Sequence, residues 1–525
     1  MDCSFKQCTA TCTTARDVQN HNVNEILVDR LTNLPDELLI QIISLLPTKD
    51  AAAISALSRR FRRVFPLITS LDFDVSPVSF CLKHPYATER YPTFVSFVDT
   101  VLQVHKSRYL TKFRLKVSRE DFNAVYFDGY TFIGCQPSCL PDLKPPRLYA
   151  WISYPLTLCG LRELDLSILV SEPGDSQLPP AIFTCETLEV LKLEVNIGLD
   201  HVFTMPTYRL PNLKSLLLSA SVISDDGFLT RLVSSCPVLE DLTFKPSMNV
   251  AKIFAITSSS LRRLCLLPNC PFDIGDNSAC VLISTPNLEY LEYYDIILPN
   301  CYNITIMKCL AKAVLEFKEF LQFDEIYGLN AENVDQMLFN LLRPLSYVQH
   351  LSLLGCLTLV LKCVDEKVLN DHLPLFSNLK HLELGAVGGA VNSYYSSTPL
   401  FGLFPLLNCS PVLETLVFAE ELVDGYCARL CPFNGEAQEL EQEFVSKDHE
   451  IPLSCRYHLK RIVIKKYYRN ERGVGMVPFL LRKAVALEKL VIFRNQVSSI
   501  PDEMTVLNSL KSLPRASINC IIQVR

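Results

Sequence analysis

The sequence is poor in several features that would point to particular classes of protein. Only 17 of its 525 residues are glycine, so glycine-rich phosphate-binding loops are not expected. Lysine and arginine (50) are fewer than aspartate and glutamate (56), and the net charge of −6 argues against nucleic acid or a membrane surface as partner. No apolar run reaches the roughly 18 residues of a membrane-spanning helix, and no signal-peptide pattern opens the chain. These absences predict a soluble protein of the nucleus, the cytoplasm or both.

Cysteine is abundant, but its pattern excludes the usual roles of clustered cysteines. The 21 cysteines are odd in number, are spread over the whole chain and are never spaced as C-x-x-C. A disulfide framework needs an oxidising compartment, and zinc needs four convergent nitrogen or sulfur ligands. We therefore expect free thiols that pack as small apolar side chains, with no metal ion and no cofactor.

Motifs of the common catalytic mechanisms are also missing. The sequence contains no G-x-x-x-x-G-K-[ST], no H-E-x-x-H and no G-x-S-x-G. Its nine histidines are scattered. His350 and His381 stand between the leucines of predicted strands, where a solvent-facing structural role is expected. No catalytic residue is predicted, and the chain is expected not to be an enzyme.

Residues 29–70 contain three short amphipathic helical patterns. Pro35 precedes two acidic residues, which is typical of a helix start, and an apolar stripe follows it as far as Pro47. Thr48 can cap a second helix, and a third begins close to Leu57. Three helices in so few residues cannot bury their apolar surface alone, so this unit requires a partner protein or a neighbouring domain.

The order of these residues resembles an F-box. The resemblance rests on Asp-Arg-Leu at 29–31, Leu-Pro-Asp-Glu-Leu-Leu at 34–39, the segment 42–51 and Leu-Ser-Arg-Arg-Phe at 57–61. Phenylalanine stands at 61 and 65, where the family usually carries tryptophan. The resemblance implies docking on the helices of a Skp-type adaptor through Leu34, Pro35, Leu38, Ile42, Leu46, Leu57 and Phe61. An alternative is that these helices only cover the end of the array that follows.

A second pattern, L-x-x-L-x-L, recurs from residue 161 to residue 492. In its early part the first leucine returns every 22 to 27 residues, close to the period of leucine-rich repeats. The units begin at Leu161, Leu188, Leu213, Leu239, Leu261, Leu288, Val348, Leu379, Leu413, Leu459 and Leu487, with a weak unit at Leu310. The predicted fold class is α/β, a three-helix F-box followed by an irregular leucine-rich-repeat solenoid. Its parallel strands should form one face and helices or loops the other.

The patterns also predict the remaining boundaries. We expect a flexible tail over 1–28, the repeat array over 100–425, an acidic insertion over 426–450 and a C-terminal tail over 501–525. Residues 451–500 predict strand, helix and strand in that order. They resemble the FBD region that ends many plant F-box/leucine-rich-repeat proteins and would continue the array.

Two clusters of basic residues have a less specific interpretation. One is the run from Arg59 to Arg63 in the third predicted helix, and the other extends from Lys460 to Arg472 near the far end of the array. Few aromatic residues stand among them, so neither predicts a nucleic-acid site. Each is expected to be solvated surface.

The resemblance implies the substrate-recognition subunit of a cullin-RING (SCF-type) ubiquitin ligase. The F-box would bind the adaptor and, through it, a cullin, while the array would hold a protein target. Two alternatives stay open: a scaffold that recruits no ligase, and a receptor whose array binds a small ligand. Candidate target-binding residues on exposed strand positions are Arg162, Asp165, Glu240, Arg262, Glu289, Tyr290, Lys380 and His381.

Overall fold

A computed structural model describes most of the chain beyond residue 33. The described residues are 34–75, 87–117, 143–169, 177–223, 227–249, 253–267, 280–297, 301–319, 334–355, 357, 361, 364–385, 403–419, 451–467, 476–494, 507, 508 and 510–525. The predicted tail over 1–28 and the predicted acidic insertion over 426–450 lie outside these residues.

The N-terminal unit is built from three short helices followed by a 3-10 turn. They are α1 (Asp36–Ser44), α2 (Thr48–Ser55), α3 (Arg59–Val64) and the turn Phe65–Leu67. Pro35 and Pro47 stand immediately before α1 and α2, where a backbone N–H is not needed. The N-cap of α3 is Ser58, whose Oγ accepts a hydrogen bond from the Phe61 N–H at 3.1 Å. The three predicted helices are thus confirmed.

Parallel strands in chain order form one long sheet. Its fifteen described strands are β1 (Ser70–Asp74), β2 (Lys112–Val117), β3 (Glu163–Ile168), β4 (Val190–Val195), β5 (Ser215–Ile223), β6 (Asp241–Asn249), β8 (Arg263–Leu266), β10 (Tyr290–Ile297), β12 (Lys312–Glu319), β13 (His350–Gly355), β14 (His381–Leu384), β15 (Thr415–Phe418), β16 (Arg461–Tyr467), β17 (Lys489–Arg494) and β18 (Ile521–Val524). Because each strand pairs with the next strand of this series, every repeat contacts chiefly its neighbours.

The predicted leucines lie in register across the sheet. Leu164 of β3 pairs with Leu191 of β4, and the ladder continues through Leu216, Leu242 and Leu264. These side chains are at most 1% exposed. Alternate residues point to the other face of the strands, here called the outer face. The weak unit at Leu310 also forms a strand, β12, so the α/β repeat fold is confirmed.

Helices cover much of the inner face. They are α4 (Ala87–Val104), α5 (Pro145–Leu156), α6 (Asp200–Phe203), α7 (Phe228–Ser234), α8 (Val334–Leu342), α9 (Glu366–His372), α10 (Leu403–Asn408), α11 (Leu453–Tyr457) and α12 (Met476–Lys483). The core therefore runs continuously between this helical layer and the sheet. Within 451–500 the predicted order of strand, helix and strand is confirmed by β16, α12 and β17.

Three consecutive repeats depart from the predicted layer of helices or loops. Their return segments form the strands β7 (Ile253–Thr257), β9 (Cys280–Ser284) and β11 (Cys301–Ile304), which pair as a separate parallel sheet. The buried residues Val281 and Ile283 of β9 belong to the main core. In β9 these two β-branched residues alternate with half-buried neighbours, which suits a half-buried strand.

The long sheet extends beyond the predicted boundaries at both ends. The array was predicted to begin at residue 100, but β1 and β2 already belong to the sheet, which begins at Ser70 directly after the helices of the F-box. At the other end, the segment 501–525 supplies β18 and is therefore not simply a tail. The repeat pattern missed β18 because Asn519 stands where other units have their leading leucine.

Candidate functional site

Helix α1 presents apolar side chains on two faces. Leu39 and Ile43 are buried, being 0% and 3% exposed. Leu38, Ile42 and Leu45 are 43%, 39% and 85% exposed, and their spacing of four and three residues places them along one side of the helix. One side of α1 therefore belongs to the core, and the other is an uncovered apolar stripe.

The predicted adaptor-binding residues fall into two groups. Pro35, Leu38, Ile42 and Leu57 are exposed, and Leu34 and Leu46 are half-buried. These six residues are called the F-box apolar surface below. Phe61 differs, because it is only 7% exposed and packs in the core. Sequence reasoning omitted Leu45, although its helical spacing from Leu38 and Ile42 could have identified it.

One arginine of the first basic cluster has a structural role. The guanidinium of Arg60 donates to Asp36 Oδ1 from Nε at 2.9 Å and from Nη2 at 2.7 Å, and also donates to the Leu34 carbonyl. It thereby ties α3 to the start of α1. Its neighbours Arg59 and Arg62 are exposed, as expected for solvated surface.

The F-box is joined to the first strand of the sheet by hydrogen bonds and by a shared core. Thr48, which is fully buried, accepts the Asp72 N–H on Oγ1 at 2.7 Å, and Ser44 Oγ accepts the Thr69 N–H at 2.9 Å. The core is continuous from Leu39 to Leu71. The inner side of the F-box therefore covers the end of the array, while the apolar surface on its other side stays accessible.

Five of the predicted target-binding residues stand immediately before the first residue of a strand. The residues at this position in successive repeats are called the edge row. Its charges alternate over six successive repeats in the order Arg162, Glu189, Lys214, Glu240, Arg262 and Glu289. Glu189 contacts Arg162 at 3.5 Å and Lys214 at 2.9 Å, and Arg262 pairs with Glu289. Lys380 occupies the same row further on. Ion pairs therefore link neighbouring repeats at three of the five steps of the early edge row.

Asp165 belongs to a second set of paired charges, on the outer face of the early strands. Arg114 lies 3.3 Å from Asp72, 3.2 Å from Asp74 and 3.8 Å from Asp165. Burial raises the pKa of the Asp165 carboxyl, although Lys192 and Arg114 act in the opposite direction. Arg114 thus holds three carboxylates together.

This charged region lines a cavity of about 240 Å³. Its lining residues are Arg114, Lys116, Asp165, Ser167, Lys192, Glu194 and Leu217. Ligand sites are commonly about 300–1,000 Å³ and mostly apolar. The cavity is smaller and more polar than that range, and it does not favour the small-ligand alternative.

Tyr290 and His381 also lie on the outer face. The Arg263 guanidinium stacks 3.9 Å from the centre of the Tyr290 ring, and the Tyr290 hydroxyl donates to Glu292 at 2.8 Å. Burial and that hydrogen bond raise the pKa of Tyr290 to about 12. The His381 ring lies 5.5 Å from that of His350 on the preceding strand. The structure therefore divides the eight predicted target residues between the edge row and the outer face.

The described residues hold no group of three or more His, Cys, Asp or Glu side chains arranged for a metal ion. Within the same residues, no helix is both long enough and apolar enough to cross a membrane. Burial raises the pKa of the Cys236 thiol to about 11 and that of Cys455 to about 12. These thiols stay protonated at neutral pH and pack as apolar side chains.

Comparison with known proteins agrees with this architecture. An F-box domain model matches residues 31–66, and a model of the repeats of the FBD-associated F-box protein At5g56370 matches residues 148–317. The F-box/LRR-repeat protein At3g59210 of Arabidopsis thaliana is 30% identical over 519 residues, covering 94% of each chain. The chain belongs to the F-box/leucine-rich-repeat family. The F-box/FBD/LRR-repeat protein At5g56420 of the same plant is 27% identical, over 94% of this chain and 98% of the relative.

Membership makes the chain an F-box protein with an FBD-associated repeat array. The family is generally one of non-catalytic adaptors, in which F-box domains bind Skp-type adaptors and leucine-rich repeats bind protein targets.

Proposed function

We propose that this protein is the substrate-recognition subunit of an SCF-type ubiquitin ligase in the nucleus or cytoplasm. The F-box apolar surface binds a Skp-type adaptor and, through it, a cullin, while the outer face of the array binds a protein target. The observation that carries the proposal is the exposure of Leu38 and Leu57, 43% and 77%, on a unit whose other side is buried against the array. The protein acts by proximity and performs no bond chemistry itself, because holding a target beside activated ubiquitin raises its effective concentration.

The test is adaptor binding by the full chain and by a Leu38→Asp/Leu57→Asp variant. Two carboxylates in an apolar interface are expected to weaken binding by about 100-fold or more, since buried unpaired charges are strongly unfavourable. The matched control is Leu375→Asp/Leu453→Asp, because these leucines are 61% and 72% exposed but lie in the array. Phe61 is left unchanged, since a charge at this buried position would disrupt the F-box itself.

The outcomes separate the location of the surface from the function. Adaptor binding that is lost in the F-box variant and retained in the control supports both. Equal binding by the F-box variant and the unaltered chain would show that the adaptor contacts another surface. Absence of binding by the unaltered chain would favour the alternative of a scaffold that recruits no ligase.

A further inference from the structure

The outer face of the late strands carries a continuous row of basic and neutral residues. It consists of the first residue of each strand from β12 to β17, which pair in register as Lys312, His350, His381, Thr415, Arg461 and Lys489. This set is called the basic row. It contains no carboxylate, and its members are exposed or half-buried.

The same strand position in the early repeats has a different character. There Lys112 pairs with Glu163 at 2.9 Å, and Arg263 lies 3.9 Å from Asp241. In the late half, by contrast, Lys312, Arg461 and Lys489 form no ion pair with any of the residues that the structure describes, although the Lys312 ammonium lies 5.6 Å from the Tyr290 ring. Within the part of the chain that the structure describes, no carboxylate therefore compensates these three cations by direct contact.

The neighbouring positions do not neutralise the basic row. Two residues further along each strand, the outer face carries mainly valines, and Val417 and Val491 are 4% and 1% exposed. Glu383 is the carboxylate of that row, and it is already bound to Lys465 and to Ser352 Oγ at 3.2 Å. The late edge row carries two cations and two carboxylates, Lys380, Glu414, Lys460 and Glu488, and so has no net charge of its own. Glu414 pairs with Lys460 at 3.6 Å. The positive potential of the basic row is thus available to a partner.

We propose that the basic row binds an acidic segment of the protein target that lies extended across strands β12 to β17. The proposal rests on the function proposed above and specifies the chemistry of its target. Five strand steps of about 4.8 Å separate Lys312 from Lys489, which gives a row about 24 Å long. An extended segment of roughly seven residues spans that distance, and carboxylates along it would pair with the three free cations.

A peptide fits this row better than a nucleic acid does. A nucleic acid needs a broad basic surface, and base stacking adds aromatic platforms. Here a single row of charge is bordered by buried valines, on a protein whose net charge is −6. A narrow row of charge matches the width of one extended chain.

The His381 imidazole makes this binding dependent on pH. Burial lowers the pKa of His381, with smaller contributions in the same direction from His350, Lys465 and Lys312, while Glu383 acts against them. His381 is therefore neutral at pH 7.5 and gains its charge only below the ordinary histidine value of about 6.5. An acidic segment favours the protonated ring, so its affinity increases as the pH falls below that value.

The test measures binding of fluorescein-labelled heptaglutamate to the full chain by fluorescence anisotropy at low salt, with heptaglutamine as the neutral probe. Lys312→Gln/Arg461→Gln/Lys489→Gln is expected to weaken heptaglutamate binding about tenfold or more. The matched control, Arg59→Gln/Arg62→Gln/Arg63→Gln, removes the same charge from α3 and is expected to bind as the unaltered chain does. His381→Gln is expected to keep the affinity at pH 7.5 and lose the tightening at pH 5.5.

Several outcomes would overturn the proposal. These are no binding by the unaltered chain, equal binding by the Lys312 triple variant, or an equal loss in the α3 control, which would indicate a general charge effect. Neutralising Glu436, Glu439, Glu441 and Glu443 to glutamine tests whether the chain's own insertion occupies the row. Binding that becomes tenfold tighter in that variant would assign the row to the insertion rather than to a target.

Adaptor binding is measured on the same proteins, so that the two proposals can fail separately. The Lys312 triple variant should retain the adaptor while losing heptaglutamate. A chain that binds heptaglutamate through the basic row but never binds the adaptor would contradict the ligase function and leave the acidic-segment site intact.

Discussion

The early and late halves of the sheet share one backbone ladder but use their outer faces differently. Between β1 and β10, charges contact one another across strands, as in the contacts of Arg114 with Asp72, Asp74 and Asp165. Between β12 and β17, Arg461 and Lys489 occupy equally regular positions, and no described residue forms an ion pair with them. The register of the strands therefore does not by itself determine the role of a charged residue on the outer face. Paired charges join neighbouring repeats, whereas unpaired ones remain available for binding.

The largest expected effect comes from a backbone change in the late half. Gly355, at the end of β13, has φ of +69°, and a Cβ there would overlap the carbonyl oxygen of Phe317 on β12. Gly355→Ala is therefore expected to lower the free energy of unfolding by about 3 kcal/mol or more, because the two strands must separate in addition to the strain of the left-handed conformation. Thermal and denaturant unfolding of the full chain measure this.

Gly160 in the early half provides the matched control. It has a similar φ of +79°, but a Cβ there would lie an ordinary 3.7 Å from the Tyr109 ring. Gly160→Ala is expected to cost about 1–2 kcal/mol, the conformational strain alone. Equal losses in the two variants would mean that the close approach of β12 to β13 adds nothing to the cost of a side chain at position 355.

Removing one arginine from each half tests the comparison directly. Arg114→Met leaves three carboxylates facing one another, and we expect a loss of about 1–3 kcal/mol, since its side chain is partly screened by water. Arg461→Met removes a cation that pairs with no described carboxylate and is expected to change stability by less than about 0.5 kcal/mol. The denaturation midpoints of the two variants give the difference.

The two arginine variants should also differ in how their stability depends on pH. Burial raises the pKa of Asp165, and protonation of this carboxyl relieves its repulsion with the other two in Arg114→Met, so the deficit should shrink as the pH falls from 7 towards 4. Arg461→Met should show no such trend. A deficit of Arg114→Met that is constant with pH would contradict the proposed role of the three carboxylates.

Packing on the outer face also differs between the halves. Val491 of β17 is 1% exposed and packs with Val417 and Val463, whereas Val190 of β4 is half-buried. Val491→Thr places a hydroxyl among valines and is expected to cost about 1–2 kcal/mol. Val190→Thr should be nearly neutral, and comparable losses in the two unfolding experiments would contradict the comparison.

Short-range patterns predicted the parts of the fold that depend on local sequence. Leucine spacing indicated the strands, and proline and threonine positions indicated the helices of the F-box. The return strands β7, β9 and β11 were not predicted, because the repeat signature describes only the other side of each repeat. β18 was missed because Asn519 replaces the leading leucine.

The site was predicted less completely than the fold. The apolar leucines of α1 follow from its helical spacing, but the sequence does not show which side packs in the core and which stays exposed. It also could not show that Phe61 faces inward. The basic row aligns on one face residues that are far apart in the sequence, from Lys312 at one end to Lys489 at the other. Its continuity depends on strand register across insertions of variable length, which no local pattern records.

The smallest effect on stability is expected in the edge row. Here a glutamate with two ion-pair partners is compared with a glutamate that has one. Glu189 contacts both Lys214 and Arg162, and Glu414 contacts Lys460. The hydrogen bond and charge of Lys214, and then the charge of Arg162, lower the pKa of Glu189. Its contribution to stability is therefore present above the ordinary glutamate value and is lost as the pH falls through the lowered one.

Glu189→Gln should consequently lower the unfolding temperature slightly at pH 7 and low salt, and by more than Glu414→Gln does. The difference between the two variants should vanish in 1 M salt, where the Debye length shrinks to about 3 Å and exposed pairs are screened. A difference that persists in high salt would mean that Glu189 stabilises the early repeats through packing rather than through charge. Ion pairing between the alternating charges would then no longer distinguish the early half of the edge row from the late half.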